Sequence, residues 1–294
     1  MNRLWPWLQI WLVIVLMRDM AVAQPSAPLV VLFTGNNTAQ ISDCGCGPDP
    51  AGGLLRLATA VDSLRRQYPD AVFIDSGDWL SSYANSEQDR QALAIVKRLQ
   101  YDALAVGEYE WPGFKPYLRS GYRKIGLPLV LTNAHIDSVI RNQIVLRRGR
   151  WGVRVVAFLE PELARRKSAE ASNHAFADIR ARLRRLVRSA VDRREMLIAI
   201  FHQFGEVSHE ILNVLPETSL IIRGHWHRRF APERDGLQRV AGRWVANPGD
   251  NGEYLGMAIF DLEKKRWSAN FIRLNRRIPE DAELAKKYML DTQQ

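Results

Sequence analysis

Short runs of apolar, largely β-branched or small residues recur along the chain at 29–33, 71–74, 103–106, 127–131, 153–159, 196–201 and 219–222. Continuous apolar runs of this length predict strands buried on both faces. Between them the apolar positions return at helical spacing. The stretch 54–67 places Leu57, Val61 and Leu64 on one face. The stretch 86–99 brings Leu93, Val96 and Lys97 near one another, with a polar face opposite. The stretch 179–195 carries a stripe of Ile179, Leu183, Leu186, Val187, Ala190 and Val191. Strands alternating with helices predict an α/β architecture. Towards the end the pattern changes: 243–262 and 267–274 read as strands joined by turns, so an antiparallel portion closes the domain. No repeat, long linker or Pro/Gly/Ser tract interrupts the chain, and residues 24–294 read as one domain.

The first segment has a different character. Arg3 precedes an apolar stretch from Leu4 to Met17, and Ala21-Val22-Ala23 offers a small-x-small cleavage site before Gln24. This is the pattern of a secretory signal peptide over residues 1–23. An uncleaved anchor is the alternative, because Arg18 and Asp19 stand between the apolar run and the cleavage site. Either reading predicts that the remainder lies outside the cytoplasm, in a periplasmic or secreted setting. Further along, no stretch reaches the roughly 20 apolar residues of a membrane span.

Composition narrows the class. The 294 residues are 47% hydrophobic and 25% charged, with a net charge of +9, which excludes a disordered or low-complexity chain. Removing residues 1–23 takes away two arginines and one aspartate, so the basic character belongs to the folded part. The arginines at 180, 182, 184, 185, 188, 193 and 194 lie mostly off the apolar stripe of their helix. A solvated face explains them, no nucleic-acid motif accompanies them, and weak attraction to an anionic membrane surface stays open. Two cysteines are too few for a disulfide scaffold.

The chemistry collects where the apolar runs end. Asp75-Ser76-Gly77-Asp78, Gly107-Glu108-Tyr109-Glu110, His202 and Gly224-His225-Trp226-His227 each follow such a run. In open α/β sheets the carboxyl ends of the strands are where sites form. Two imidazoles two residues apart on a loop can turn towards one metal, and Gly224 is expected to permit an unusual backbone angle there. With Asp78 and His202 they make a mixed nitrogen and oxygen set suited to zinc, manganese or iron.

In the order of these segments the sequence resembles the calcineurin-like metallophosphoesterases, and within them the catalytic domain of secreted 5′-nucleotidases. Gly77-Asp78 and Gly224-His225-Trp226-His227 match that family's motifs, and His202 with Gly205 fits its later histidine motif. Gly52-Gly53-Leu54 resembles its Gly-Gly turn, and Asn247-Pro248-Gly249 through Tyr254-Leu255-Gly256 its closing hairpin. The resemblance implies a four-layer α/β/β/α sandwich, two mixed β-sheets flanked by helices, with a two-metal site at one edge. It also implies one or two divalent metal ions as cofactor and a small-molecule phosphoester substrate. The family's further carboxyl-terminal domain has no counterpart in the residues given.

The departures from the family pattern are specific. Asn36 stands where the first motif has Asp, and Thr38 where it has His. Glu108 replaces a metal-binding Asn, and Tyr109 replaces the His that assists catalysis, while Glu110 is retained. One metal position therefore keeps Asp78, Glu108, His202 and His225. The other keeps His227 and a share of Asp78. Cys44-Gly45-Cys46 lies just downstream of the altered motif. Its thiolates as replacement ligands, a strained and redox-labile disulfide, and two inert thiols all remain open. Asn133 resembles a family Asn near the substrate, and Asn36 is placed beside it as a substrate contact.

Two functions follow as expectations. The first is a phosphoester hydrolase using a metal-bound hydroxide, with Asp78 anchoring the metal and Tyr109 donating a hydrogen bond to the phosphate or leaving group. The second is a catalytically degenerate metal-binding or redox-associated protein on the same fold.

Overall fold

The computed structural model describes residues 27–289, apart from 44, 46, 47, 116, 119–121, 123, 125, 137 and 226–228. The segment 1–23, Cys44, Cys46 and His227 lie outside the described residues.

Two six-stranded sheets form the centre. The first contains β1 (Leu29–Thr34), β2 (Val72–Asp75), β3 (Ala103–Ala105), β4 (Leu129–Val130), β11 (Tyr254–Asp261) and β12 (Arg266–Arg273). Its order is β12-β11-β1-β2-β3-β4, parallel from β1 to β4 and antiparallel at β11 and β12. The second contains β5 (Ile144–Arg148), β6 (Trp151–Leu159), β7 (Met196–His202), β8 (Leu220–Gly224), β9 (Leu237–Val240) and β10 (Arg243–Ala246). Its order is β5-β6-β7-β8-β10-β9, with β6, β7, β8 and β10 parallel and antiparallel edge strands β5 and β9. Both sheets are mixed, as expected.

The period-two alternation of side chains sorts the apolar residues into three layers. Leu29, Val31 and Phe33 of β1 point into the space between the sheets, where they meet Val153, Val155, Ile198 and Ile222. Val30 and Leu32 point the other way, onto helices α1 (Leu54–Gln67) and α2 (Ser86–Leu99). Val156, Phe158, Ala199 and Phe201 of the second sheet face the helix α4 (Ile179–Asp192), with Leu183 beneath them. Between β6 and α4 runs α3 (Pro161–Lys167), and α5 (His209–Leu212) and α6 (Ala282–Met289) complete the helices named here. Helix, sheet, sheet, helix is the four-layer sandwich that the resemblance implies.

The helix ends have local causes. Asn85 accepts the Glu87 and Gln88 N–H groups at the start of α2, and Asp178 accepts that of Ala181 at the start of α4. α1 begins without a side-chain cap: Gly52 and Gly53 turn the chain at φ 97° and 96°, and a Cβ on Gly53 would lie 2.7 Å from the Ser42 backbone. α4 stops at Asp192, three residues before its predicted end, and Arg194 adopts φ 56° to turn the chain into β7. β4 has two residues instead of the five predicted, since Pro128 lies beside it and lacks the N–H a ladder needs.

Candidate metal centre

Parallel strands in both sheets run towards one edge, and the chemistry stands there. Asp78 follows β2, Glu108 follows β3, His202 ends β7 and His225 follows β8. One donor atom from each lies within 4.8 Å of the other three. His202 Nε2 is 2.7 Å from Glu108 Oε2 and 3.3 Å from Asp78 Oδ2. His225 Nδ1 is 3.0 Å from Glu108 Oε1 and 3.5 Å from Asp78 Oδ2. The first sheet thus supplies two carboxylates and the second two imidazoles.

Each ligand is aimed by a second contact. His202 Nδ1 lies 2.8 Å from the Ser76 carbonyl, so that nitrogen carries a hydrogen and Nε2 is the one left to face the cluster, where it meets Glu108 or a cation. Three glycines make room for the ring. A Cβ on Gly77 would lie 2.5 Å from His202 Nδ1, one on Gly107 2.9 Å from its Cε1, and one on Gly224 2.5 Å from Nδ1. The expected role of Gly224 is corrected here. The positive φ belongs to His225 itself, at 55°, and Gly224 is required by close approach to His202 and the Ser76 carbonyl. Asp78 also sits in the left-handed region, at φ 60°.

Glu110 holds the carboxylate loops together. Its Oε2 accepts the N–H groups of Asp78 and Gly107, both at 2.9 Å, and its Oε1 accepts that of Leu80 at 2.8 Å. Sequence reading kept Glu110 only as a family match, because its three partners are far apart in the chain. Asp75 does the same for the first loop: it accepts from Thr34 Oγ1 at 2.6 Å, Asn37 Nδ2 at 2.8 Å and the Gly77 N–H at 2.8 Å.

The remaining expected residues are placed as follows. Asn36 is fully buried and its Nδ2 donates to the Gly249 carbonyl at 2.9 Å. Asn133 is buried and spends both ends of its amide on Leu159, donating to the carbonyl at 2.8 Å and accepting from the N–H at 3.0 Å. Neither of these contacts is to a member of the cluster of carboxylates and imidazoles. Tyr109 sits beside it with its N–H 3.4 Å from Asp78 Oδ1. Burial, then the charges of Asp78 and Glu108, push its phenol above the ordinary value. Arg56 pairs with Asp43 at 3.0 Å and Glu280 at 2.7 Å. Sequence reading missed the rim. The Phe204 ring is 42% exposed and stands edge-on to His225, with centroids 4.7 Å apart. The Arg166 guanidinium lies 5.0 Å over Phe204, and the Lys167 ammonium 4.7 Å over Tyr109.

The donor set fits a divalent cation. Two buried carboxylates face two imidazoles, with His202 Nε2 turned inwards by the Nδ1 contact to Ser76, and without a cation only protons can balance them. Burial opposes charge on His202 and His225, yet the carboxylates of Asp78 and Glu108 hold both above the ordinary histidine value. Burial likewise opposes charge on Glu108, and the two imidazoles pull it below the usual carboxylate range. Burial pushes Asp75 up to about 7 against its hydrogen-bond donors, and burial with the Asp78 charge pushes Glu110 up to about 8.

These shifts predict a pH dependence. A group whose folded pKa is raised gives stability that is complete at low pH and lost as pH rises through the folded value. Asp75, Glu110, His202 and His225 all have that sign. Glu108 stays ionised across the range and adds no slope. With a chelator present, the melting temperature is expected to fall from about pH 5 to about pH 8. With a divalent cation it is expected to rise, because the ligands must be deprotonated to bind. Thermal melts in the two conditions check this; parallel slopes would contradict it.

Comparison with known proteins follows the same lines. No protein-family model matches the chain. Mouse 5′-nucleotidase is 25% identical over 269 residues, 79% of this chain and 45% of the mouse protein. The 5′-nucleotidase precursor of Thermus thermophilus superposes with a TM-score of 0.75 at 19% identity, over 90% of this chain and 58% of that one. The calcineurin-like phosphoesterase YfkN of Bacillus subtilis superposes at 0.69 with 17% identity, over 92% of this chain and 97% of that one. The fold is that of the calcineurin-like phosphoesterases and 5′-nucleotidases, and the sequence is similar to the 5′-nucleotidases. The chain spans about half the length of the mouse protein it matches. The chain thus places two carboxylates and two histidines at one edge of its two sheets, while Asn36 donates to the Gly249 backbone.

Proposed function

We propose that the chain is a metal-dependent hydrolase of small-molecule phosphoesters, with one cation held by Asp78, Glu108, His202 and His225. The observation that carries this reading is the convergence of those four side chains within 4.8 Å, each on a different strand end. When bound, the cation supplies Lewis-acid chemistry: a lowered pKa for water at neutral pH and charge compensation at phosphorus. The protein's own groups do the rest. Ser76 and the three glycines hold the His202 ring in place. Glu110 fixes the Asp78 and Glu108 loops relative to each other. The raised pKa of Tyr109 keeps its phenol protonated at neutral pH, so it donates a hydrogen bond and is a poor source of a full proton. Lys167 and Arg166 give the rim positive charge to meet an anionic phosphate, and the exposed face of Phe204 offers a surface to an aromatic or apolar leaving group.

Nucleotides are the favoured substrates by likeness to the 5′-nucleotidases. Work outside the cytoplasm follows from the signal-like segment 1–23. Cys44, Cys46 and His227 remain proposed additional ligands. A second reading, binding without turnover, draws support from Asn36, whose amide is committed to Gly249 where the family has a ligand.

Elemental analysis of protein purified without chelator is expected to give one metal equivalent per chain. A panel of phosphomonoesters and phosphodiesters, assayed with zinc, manganese and iron, is expected to show turnover that His225→Ala abolishes. Turnover no greater than that of His225→Ala across the panel would sink the hydrolase and leave the binding protein.

A further inference from the structure

The parallel strands that deliver ligands at one edge start at the opposite end of the sandwich. That end has a chemistry of its own. The hairpin between β5 and β6, and the turn from α4 into β7, enclose a concavity of about 460 Å³ lined by Arg147, Arg150, Arg193 and Arg194, with Val145 and Glu195. Glu195 already pairs with Arg154, at 2.5 Å, and Arg148 of the same hairpin pairs with Asp102. Among the described residues, none of the other four guanidinium groups is held in an ion pair. Four unneutralised cations around one hollow are electrostatically costly to one another, and an anion relieves that cost. Val145, which lines the same hollow, is 51% exposed although aliphatic, and Val191, two residues before Arg193 in the chain, is 58% exposed.

A second observation says what meets this end. The Trp151 indole N–H, next to Arg150, donates to the Ala27 carbonyl at 3.1 Å. The chain therefore enters the fold at the basic end, two residues before β1. The sequence that precedes Ala27 contains the apolar stretch from Leu4 to Met17. Retained as an uncleaved anchor, the alternative reading of residues 1–23, that stretch would bring the end of the fold at Ala27 to a lipid surface.

We propose that the basic end of the sandwich, centred on Arg147, Arg150, Arg193 and Arg194, docks on anionic phospholipid headgroups. Guanidinium groups match phosphate by paired hydrogen bonds, and the exposed valines suit the apolar boundary just below it. The metal centre then faces away from the bilayer, separated from it by the nine residues of β6, roughly 30 Å. This surface is independent of whether the metal centre turns over substrate.

The test is co-sedimentation of the full chain with vesicles of pure phosphatidylcholine and of phosphatidylcholine with an equal share of phosphatidylglycerol. The segment 1–23 carries Arg3 and Arg18 but is the same in every variant, so the difference in that preference between variants reads the arginines of the basic end. Binding to the anionic vesicles is expected to be stronger by several hundredfold at low salt, since each of the four arginines near such a surface adds on the order of a factor of five. The variant R147E/R150E/R193E/R194E is expected to lose that preference. The variant R184E/R185E/K286E/K287E, with the same change in net charge on other exposed positions, is expected to keep most of it. Equal binding to both vesicles, or equal loss in both variants, overturns the proposal. Inorganic phosphate that displaces the protein far better than sodium chloride of the same ionic strength also overturns it, by showing a pocket for free phosphate. Circular dichroism of each variant confirms that it is folded before its binding is read.

Discussion

Asp78→Asn is expected to empty the metal centre while leaving the fold in place. Asparagine has nearly the shape of aspartate and tolerates the left-handed backbone that residue 78 adopts at φ 60°. What it lacks is charge. Asp78 Oδ2 lies 3.3 Å from His202 Nε2 and 3.5 Å from His225 Nδ1, and Asp78 itself is fully buried. Outer contacts to a metal ligand are already worth about 10–100-fold in affinity, so loss of a charged ligand is expected to cost more than about a hundredfold. Turnover should fall to the level of the chelated protein. Titration of the chelated variant with manganese measures the first effect, and its melting curve under chelation checks the fold. Metal retained at one equivalent with unchanged affinity would remove Asp78 from the ligand set.

Gly224→Ala is expected to lower stability through crowding alone, because the φ of Gly224 lies outside the left-handed region. The added Cβ would lie 2.4 Å from the Ser76 carbonyl oxygen and 2.5 Å from His202 Nδ1. Those are the two partners of the hydrogen bond that aims His202, and backbone cannot move aside as a flexible side chain does. Overpacking of this kind costs about 3 kcal/mol. In a domain of this size that lowers the melting temperature by about 10 °C. Excess cation should recover part of it, since ligand binding stabilises the folded state. Gly205→Ala is the internal control. Gly205 has φ 67° but open space around it, so it costs only backbone strain, about 1 kcal/mol. Similar losses at both positions would show that conformation, and not crowding around His202, sets the demand for glycine.

The contrast between those glycines shows where sequence reading works and where it stops. Helices 54–67 and 86–99 were legible to the residue because their apolar positions keep one face over four turns. The ligands Asp78, Glu108, His202 and His225 were legible because each ends a strong apolar run. β5 was not, since Arg147 and Arg148 make its alternating edge-strand pattern read as polar surface. β9 hid in the same way, as Leu237–Val240 is too short and too polar to stand out. The direction of a polar side chain was the least legible of all. Asn36 and Asn133 lie on the predicted strand-end loops, yet their amides turn to the backbone of Gly249 and Leu159. Glu110 gathers N–H groups from residues 78, 80 and 107, a convergence that exists only after β2 and β3 pair.

The pairing of β1 with β11 has a kinetic meaning. Leu29 stands opposite Phe260, so the first strand to emerge waits for almost the whole chain before its antiparallel neighbour exists. Closing so long a loop is slow, and until it happens one edge of β1 is bare to any passing strand. The nascent protein is therefore expected to need protection over most of its synthesis or passage across a membrane. The compartment in which β11 finally arrives also decides which metal pool the completed centre meets.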